Sequence, residues 1–208
     1  SAVAAGLIAQ QAPDLDAVVG VDDDALLTAA ATAELLGLPH NPIDAVAATR
    51  DKGRLRTKLA KANAAQPDFR MAPPGAVAPA AAELGFPVVV KPTGLSASRG
   101  VIRADTPADA SKAENRIRSI LDKAGLPATQ ELLVEEYIPG EEIVVEGILG
   151  HHGLDVLAVI DKPDPLEGPF FEETLFITPS RLNAEVQQEA IRLTKLAVDT
   201  LGLVTGPI

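Results

Sequence analysis

The chain has 208 residues, enough for one large domain or two small ones, and 47% of them are hydrophobic, so a sizeable core is available. Its formal net charge is −11, and no basic run offers the surface that nucleic acid requires. Cysteine is absent, which excludes disulfides and thiolate metal sites, and no apolar stretch reaches the length of a membrane span. We therefore expect a cytoplasmic protein that binds neither nucleic acid nor membrane.

The chain is expected to begin with helices and a strand in alternation. A short apolar run with β-branched residues at positions 16–21, closed by three aspartates, is typical of a strand that enters a loop. Asp24 or Thr28 is expected to cap the next helix, and Gly37 to end it. The predicted elements are helix 1–11, strand 16–21, a helix to residue 36, and helices 43–48 and 51–65.

Strands become frequent after the proline-rich stretch 66–79. The clearest strand is 86–91, a run of valines that ends on a lysine, and the last helix is expected to begin after Asn183 and end at Gly202. The predicted strands are 69–71, 86–91, 132–134, 142–149, 154–161 and 175–177, and the predicted helices are 80–84, 105–124 and 184–200. This order indicates an α/β segment joined to an α+β segment.

The segment 91–101 is the first that indicates chemistry. An apolar strand ends on Lys91, a loop of small residues follows, and the chain resumes as Val101-Ile102. Small side chains let backbone N–H groups approach phosphate oxygens, serine hydroxyls add donors, and a lysine adds a point charge. The pattern differs from the Walker motif, and a solvated hairpin turn would have a similar composition.

The segment 132–142 is the second that indicates chemistry. An apolar strand runs into Glu135-Glu136-Tyr137-Ile138, and such a connecting segment can offer backbone groups to an adenine edge. Glu142 then lies where a carboxylate can accept hydrogen bonds from ribose hydroxyls. An exposed acidic turn remains the alternative interpretation of this segment.

Together with Lys52 in an upstream Asp-Lys pair, the two segments resemble the ATP-grasp family. The matching features are Val-Val-Lys-Pro at 89–92, a Ser/Gly loop that leads to Gly-Val at 100–101, and Val-Glu-Glu-Tyr-Ile with Gly-x-Glu within 134–142. The resemblance implies an ATP-grasp fold, in which two α+β lobes surround ATP, after the tail end of an α/β domain. The implied divisions are 1–45, the end of that domain; 46–68, a connecting helix; 69–138, a lid lobe; and 139–208, the incomplete start of the second lobe.

The same resemblance implies a role for each matching residue. Lysines would contact the phosphates, small residues of the loop would cover the β- and γ-phosphates, backbone groups would meet adenine, and a carboxylate would hold the ribose. The lysines are Lys52 and Lys91, and the loop residues are Ser96, Ser98 and Gly100. The residues that would meet adenine are Glu135, Glu136 and Ile138, and the carboxylate that would hold the ribose is Glu142.

A third segment, 161–181, carries two candidate catalytic residues. A similar Phe-Glu-Glu…Pro stretch lies beside the acceptor and phosphate sites of ATP-grasp ligases that join amino acids. By this resemblance, Glu173 would bind an amino group, and Arg181 would bind a carboxylate or acyl phosphate with its paired donors. A surface loop with inward-packed phenylalanines is the alternative interpretation.

The sequence departs from the family pattern at its end. Family members hold Mg²⁺ on a Glu and a Glu-x-Asn pair, carried on strands that would follow the segment 201–208. No metal ligand is therefore assigned within this chain, and the Mg²⁺ ligands are expected beyond Ile208. We expect a fragment of a longer enzyme that is inactive alone.

The resemblance implies an ATP-dependent ligase that activates a small-molecule carboxylate as an acyl phosphate and joins it to an amine, with ATP and Mg²⁺ as cofactors. Bicarbonate activation, as in biotin-dependent carboxylases, and a nucleotide-binding module without catalysis are the alternatives. The sequence leaves a homo-oligomer open.

Overall fold

The computed structural model describes residues 2–12, 14–171 and 174–208. Its helices are α1 (Ala2–Gln11), α2 (Leu26–Leu36), α3 (Ile43–Arg50), α4 (Lys52–Lys61), α5 (Val77–Leu84), α6 (Pro107–Lys123) and α7 (Ala184–Leu201). Its strands are β1 (Phe69–Ala72), β2 (Val88–Pro92), β3 (Ile102–Ala104), β4 (Leu132–Glu136), β5 (Glu142–Gly150), β6 (Gly153–Lys162) and β7 (Gly206–Pro207). The strands form two antiparallel sheets, ordered β1-β4-β2-β3 and β6-β5-β7.

The first sheet packs one face against two helices. Val88 and Val90 on β2 alternate with Val89 and Lys91, because successive side chains of a strand point to opposite faces. The face of Val88 and Val90 joins the core under α5 and α6, where Ile117 is fully buried. The opposite face of the sheet therefore carries Lys91.

Helix α6 has the amphipathic pattern that its sequence predicts. Thr106 caps its N-terminus by accepting a hydrogen bond from the N–H of Asp109 at 3.2 Å, and a proline follows at the first helical position. Ile117 and Leu121 are fully buried against the first sheet, whereas the opposite side of the helix is charged. The helix thus covers the apolar face of the sheet and leaves the other face to α4.

Strands β5 and β6 form the predicted hairpin, which turns at residues 150–153. A β-bulge beside Gly147 shifts the pairing by one residue, so that Glu142 lies opposite Lys162. A Cβ placed on Gly147 would lie 2.6 Å from the carbonyl oxygen of Asp155, closer than any real contact. Only glycine fits here without moving the backbone of β6.

Replacing Gly147 with alanine is therefore expected to lower the free energy of unfolding by about 1–3 kcal/mol, the range typical of overpacking. Gly150→Ala is the matched control in the same strand, because nothing lies within 4 Å of a Cβ at that position. Chemical denaturation of both variants measures the difference. Equal stabilities would contradict the close approach of the two strands at the bulge.

Helix α7 lies against the second sheet and is capped as predicted. The Oδ1 atom of Asn183 accepts a hydrogen bond from the N–H of Val186 at 2.9 Å, and Gly202 ends the helix in the left-handed conformation. Beyond the end of α7, the N–H of Val204 donates a hydrogen bond to the side-chain oxygen of Asn41 at 2.7 Å. This contact joins the N-terminal part of the chain to the turn after α7.

The strand predicted for residues 16–21 is wrong. The structure assigns no strand there, and Val19 and Val21 are 67% and 90% exposed. A strand needs a neighbour for its N–H and C=O groups, and within the described residues no other strand pairs with this segment. The strand predicted for 175–177 reduces to a single bridge between Ile177 and Asp161.

The N-terminal cap predicted for α2 is also wrong. Ala25 occupies the cap position, and its side chain offers no hydrogen bond. The carboxylate of Asp22, rather than that of Asp24, accepts a hydrogen bond from the N–H of Ala25 at 2.8 Å. Thr28 lies inside the helix, where its carbonyl oxygen accepts a hydrogen bond from the hydroxyl of Thr32 at 2.8 Å. None of the described helices is long and apolar enough to cross a membrane.

Candidate functional site

Helix α4 brings two cations to the face of the first sheet that carries Lys91. Asp51 caps the helix by accepting a hydrogen bond from the N–H of Arg54 at 3.0 Å. Lys52 and Arg56 are four residues apart, so they project from the same side of the helix. Gly53 lets this helix approach the sheet closely, since a Cβ there would lie 2.9 Å from the sulfur of Met71.

Lys91 and Glu135 meet on this face. Strands β2 and β4 are neighbours, and Lys91 lies opposite Leu133, so Glu135 is its diagonal neighbour on the same side. One oxygen of the Glu135 carboxylate forms an ion pair with Nζ of Lys91, and the other accepts from Nε of Arg56 at 2.9 Å. Glu135 is only 4% exposed, so it acts as the buried anion between two cations.

This cluster holds more cations than anions, since Lys91 and Arg56 share the single carboxylate of Glu135 and Lys52 lies beside them. Burial alone would raise the pKa of Glu135, but Lys91 and then Arg56 outweigh it and hold that pKa below its usual value. Burial, followed by repulsion from Lys91 and from Arg50, lowers the pKa of Lys52. An added anion would favour the charged form of Lys52 against its burial and against these two cations.

The loop between β2 and β3 is fastened to Lys52. The backbone N–H of Lys52 donates to the carbonyl oxygen of Thr93 at 3.0 Å, and Nζ donates to that of Leu95 at 2.6 Å. Ser98 has a φ of 52°, in the left-handed region. Gly100 has a φ of 78°, and a Cβ there would lie 3.2 Å from Pro92, so this position favours glycine. The loop that contains Ser96, Ser98 and Gly100 is thus held beside Lys52.

The residues expected to meet adenine lie at and after the end of β4. The backbone of Glu135 is inside the sheet, paired on both sides, and the N–H of Glu136 donates to the carbonyl oxygen of Asp68 at 2.9 Å. Ile138 lies beyond the strand, is exposed, and makes no backbone hydrogen bond within the described residues. Of the three positions, Ile138 has a backbone that can bind a ligand edge without disturbing the sheet.

Glu142 and Arg181 line one cavity of about 290 Å³ near the start of β5. Glu142 lies opposite Lys162, whose Nζ donates to its carboxylate at 2.5 Å. The carboxylate of Asp161 accepts from the backbone N–H of Arg181 at 2.9 Å and from its Nε at 3.4 Å. The hydroxyl of Ser180 and then these Arg181 contacts lower the pKa of Asp161, so it stays ionised.

The structure thus arranges the predicted residues in two groups. Lys52, Lys91 and Glu135 lie together with the glycine–serine loop, and Glu142 and Arg181 line a separate cavity. Glu173 lies outside the described residues. In the part of the chain that the structure describes, no three His, Asp or Glu side chains gather where a metal ion could bind.

Three residues of these groups were not predicted from the sequence. Arg56 shares a helix face with Lys52, and this i, i+4 spacing was a usable signal. Lys162 faces Glu142 only because the bulge shifts the hairpin register, and the glycine inside the predicted strand, Gly147, was a usable signal for that bulge. Asp161 lies at the end of an apolar strand, where its buried contacts to residue 181 depend on the path of the following loop.

Comparison with known proteins supports one family. A sequence model described as an ATP-grasp domain matches residues 84–208. The chain is 27% identical over 213 residues to the alanine–anticapsin ligase of Bacillus subtilis (strain 168), covering 90% of this chain and 43% of that protein. It is 26% identical over 187 residues to the D-alanine–D-alanine ligase of Haemophilus influenzae (strain PittEE), covering 81% of this chain and 57% of that protein.

A solved structure agrees with these relatives. The L-amino acid ligase from Bacillus licheniformis superimposes with a TM-score of 0.78 and 26% identity, over 98% of this chain and 47% of that one. The chain therefore spans about half the length of the proteins that it resembles. The predicted fold class is confirmed, and because the domain model matches more than half of its residues, the chain belongs to the ATP-grasp family.

Proposed function

We propose that this chain binds ATP with the triphosphate beside Lys52 and Lys91 and beneath the glycine–serine loop. The observation that carries the proposal is geometric: Nζ of Lys52 donates to a carbonyl oxygen of the loop at 2.6 Å, and Lys91 and Arg56 share a single buried carboxylate. A polyphosphate would supply the missing negative charge, and loop N–H groups and serine hydroxyls would add donors. Membership of the ATP-grasp family supports the same ligand.

We extend the proposal to the rest of the nucleotide. Adenine would lie against the segment 135–138, with Ile138 as its main backbone partner, and Glu142 would accept hydrogen bonds from the ribose hydroxyls. Residues 69–138 would act as the lid lobe and residues 139–208 as the start of the second lobe. The segment 46–68 would connect them to 1–45, the end of a preceding domain.

We further propose that the whole protein is a carboxylate–amine ligase. A carboxylate oxygen would attack the γ-phosphorus of ATP, and the bond to the β–γ bridging oxygen would break to give an acyl phosphate and ADP. An amine nitrogen would then attack the acyl carbon, lose a proton and expel phosphate, leaving an amide. Lys52 and Lys91 would stabilise negative charge during the first step. Three of the proteins that this chain resembles are named alanine–anticapsin ligase, D-alanine–D-alanine ligase and L-amino acid ligase, which supports this chemistry.

Arg181 is the residue that we assign to the carboxylate or acyl phosphate. Its side chain is 67% exposed at the cavity near Glu142, while Asp161 holds its backbone and Nε. Glu173 would bind the amino group of the acceptor. Mg²⁺ is expected from the family, but the described residues do not form a group that fits it, so no step is assigned to the metal.

Replacing Glu142 with alanine is expected to weaken ATP binding about tenfold while leaving the affinity for inorganic tripolyphosphate unchanged, because the ribose contact alone is lost. Calorimetric titrations with the two ligands measure the difference. Glu146→Ala is the matched control, an exposed glutamate in the same strand. An equal loss for both ligands would contradict the ribose assignment, since it would mean that Glu142 acts through the phosphates.

The ligase proposal is tested by ADP release from the complete gene product, assayed with pairs of amino acids. The expected result is ADP release that requires both a carboxylate donor and an amine acceptor, with an amide as the second product. ADP release with bicarbonate alone would replace the proposal with carboxylase chemistry. ATP binding without ADP release under any condition would replace it with a nucleotide-binding module.

A further inference from the structure

The side chain of Arg103 contacts two segments that link the two sheets. Arg103 lies in the edge strand β3 opposite Val89, so it shares the face of Lys91. Its guanidinium lies 4.3 Å from the centre of the Tyr137 ring, and its Nη1 donates to the carbonyl oxygen of Glu167 at 2.8 Å. Asp105 accepts from the same guanidinium at 2.8 and 2.9 Å, which fixes its plane.

The first of these segments is the connection 137–141 between β4 and β5. It leaves the first sheet at Tyr137 and enters the second sheet at Glu142. Ile138, the proposed adenine partner, follows Tyr137 directly. The contact between Arg103 and the Tyr137 ring therefore helps to hold the backbone of Ile138, which would meet adenine, in position.

The second segment is the loop 163–171, which leaves the second sheet after β6 and extends the edge of the first. The N–H of Arg103 donates to the carbonyl oxygen of Pro169 at 2.9 Å, and Ile102 pairs with Phe170 in an antiparallel bridge. Arg116 on α6 lies 4.9 Å from the centre of the Phe170 ring. Along the chain, this docked loop precedes Glu173, the residue proposed to bind the acceptor.

The docked loop also reaches the proposed phosphate loop. Phe170 and Phe171 share a cavity of about 430 Å³ with Ser98 and Gly100. Release of the loop 163–171 would open this cavity on the side of Phe170. Both ends of the proposed nucleotide site therefore lie close to a segment that Arg103 holds.

We propose that Arg103 is a positioning residue that couples nucleotide binding at the connection 137–141 to the docked state of the loop 163–171. The inference rests on the proposed ATP site. Arginine suits this role because its planar group can stack on an aromatic ring and donate in its own plane at once. Glutamine at this position loses the charge and the stack, and lysine keeps the charge but cannot make both contacts.

The chain contains one tyrosine and no tryptophan, so intrinsic tyrosine emission reports on Tyr137 alone. The experiment compares the wild type with Arg103→Gln, using AMP-PNP as the probe and amide hydrogen exchange of the loop 163–171 as a second signal. Arg103→Gln is expected to alter the emission, to raise the Kd for AMP-PNP about three- to tenfold, and to speed exchange in the loop. In the wild type, AMP-PNP is expected to slow that exchange.

Two further variants make the result decisive. Arg192→Gln, an exposed arginine paired with Glu189 on α7, is expected to behave as the wild type. Arg103→Lys keeps the charge but not both contacts, so a raised Kd for AMP-PNP is expected together with faster exchange in the loop. Wild-type affinity beside fast loop exchange, or wild-type values of both in Arg103→Gln, would overturn the proposal.

Failure of the underlying ATP proposal gives a different pattern. A wild type that does not bind AMP-PNP would contradict the nucleotide site and the coupling to it. The loop contacts of Arg103 would still be measured by comparing emission and exchange of the unliganded proteins.

Discussion

Replacing Glu135 with glutamine is expected to lower the free energy of unfolding by on the order of 3 kcal/mol, because Lys91 and Arg56 would lose the anion between them. This value is at the lower end for a broken buried pair, since both cations keep some exposure to solvent. Thermal and chemical denaturation measure the loss. Saturating tripolyphosphate is expected to stabilise the variant more than the wild type, since an added anion replaces the lost charge.

Glu136→Gln is the control, an exposed glutamate in the same strand whose loss is expected to have little effect. The pKa of Glu135 is lower in the fold than in the unfolded chain, so its contribution is complete above about pH 4.3. That contribution is lost as the pH falls through the folded pKa. The stability difference between wild type and Glu135→Gln should therefore shrink in acid, and a difference that grows there would contradict the ion-pair account.

Replacing Lys91 with alanine is expected to weaken ATP binding by about 1.5–3 kcal/mol, the range for a charge-assisted hydrogen bond, or roughly one to two orders of magnitude in Kd. The loss arises because Lys91 is proposed to contact phosphate oxygens directly. Isothermal titration calorimetry measures it. Lys112→Ala, an exposed lysine on α6, is the matched control and should leave the affinity unchanged.

Lys91→Ala also removes a partner of buried Glu135, so lost binding must be separated from lost folding. The double variant Lys91→Ala/Glu135→Gln also takes the anion away from Arg56, so it is expected to be less stable than Lys91→Ala, in which Glu135 keeps the contact from Nε of Arg56 at 2.9 Å. It is nevertheless expected to bind ATP as weakly as the single variant when both are folded. A further fall in ATP affinity that follows the fall in stability would show that Lys91 acts on the fold and not on the nucleotide.

The elements that could be predicted from the sequence are those whose pattern is decided locally. The valine run ending at Lys91 forms β2, and the amphipathic period of 105–124 forms α6. The run at 16–21 has a similar local pattern, but it forms no strand because pairing depends on a neighbour that local sequence does not specify. The tertiary environment of residues 16–21 therefore outweighs their local preference for a strand.

In the candidate site, too, some features follow from the local sequence and others depend on distant neighbours. Lys91 and Glu135 were recognisable individually, and their meeting follows from the adjacency of β2 and β4 in the sheet. The partner of Glu142 was not predictable in this way. An unbroken hairpin pairing from the 150–153 turn would place Asp161 opposite Glu142, two like charges, and the bulge replaces this with Lys162.

The crystal structure of this chain with a non-hydrolysable ATP analogue is the most direct measurement of the nucleotide site. The account predicts phosphate oxygens within hydrogen-bonding distance of Lys52 and Lys91, and a ribose at the carboxylate of Glu142. It also predicts adenine against the backbone of Ile138. A nucleotide bound elsewhere on the chain, or one whose triphosphate points away from the two lysines, would contradict it.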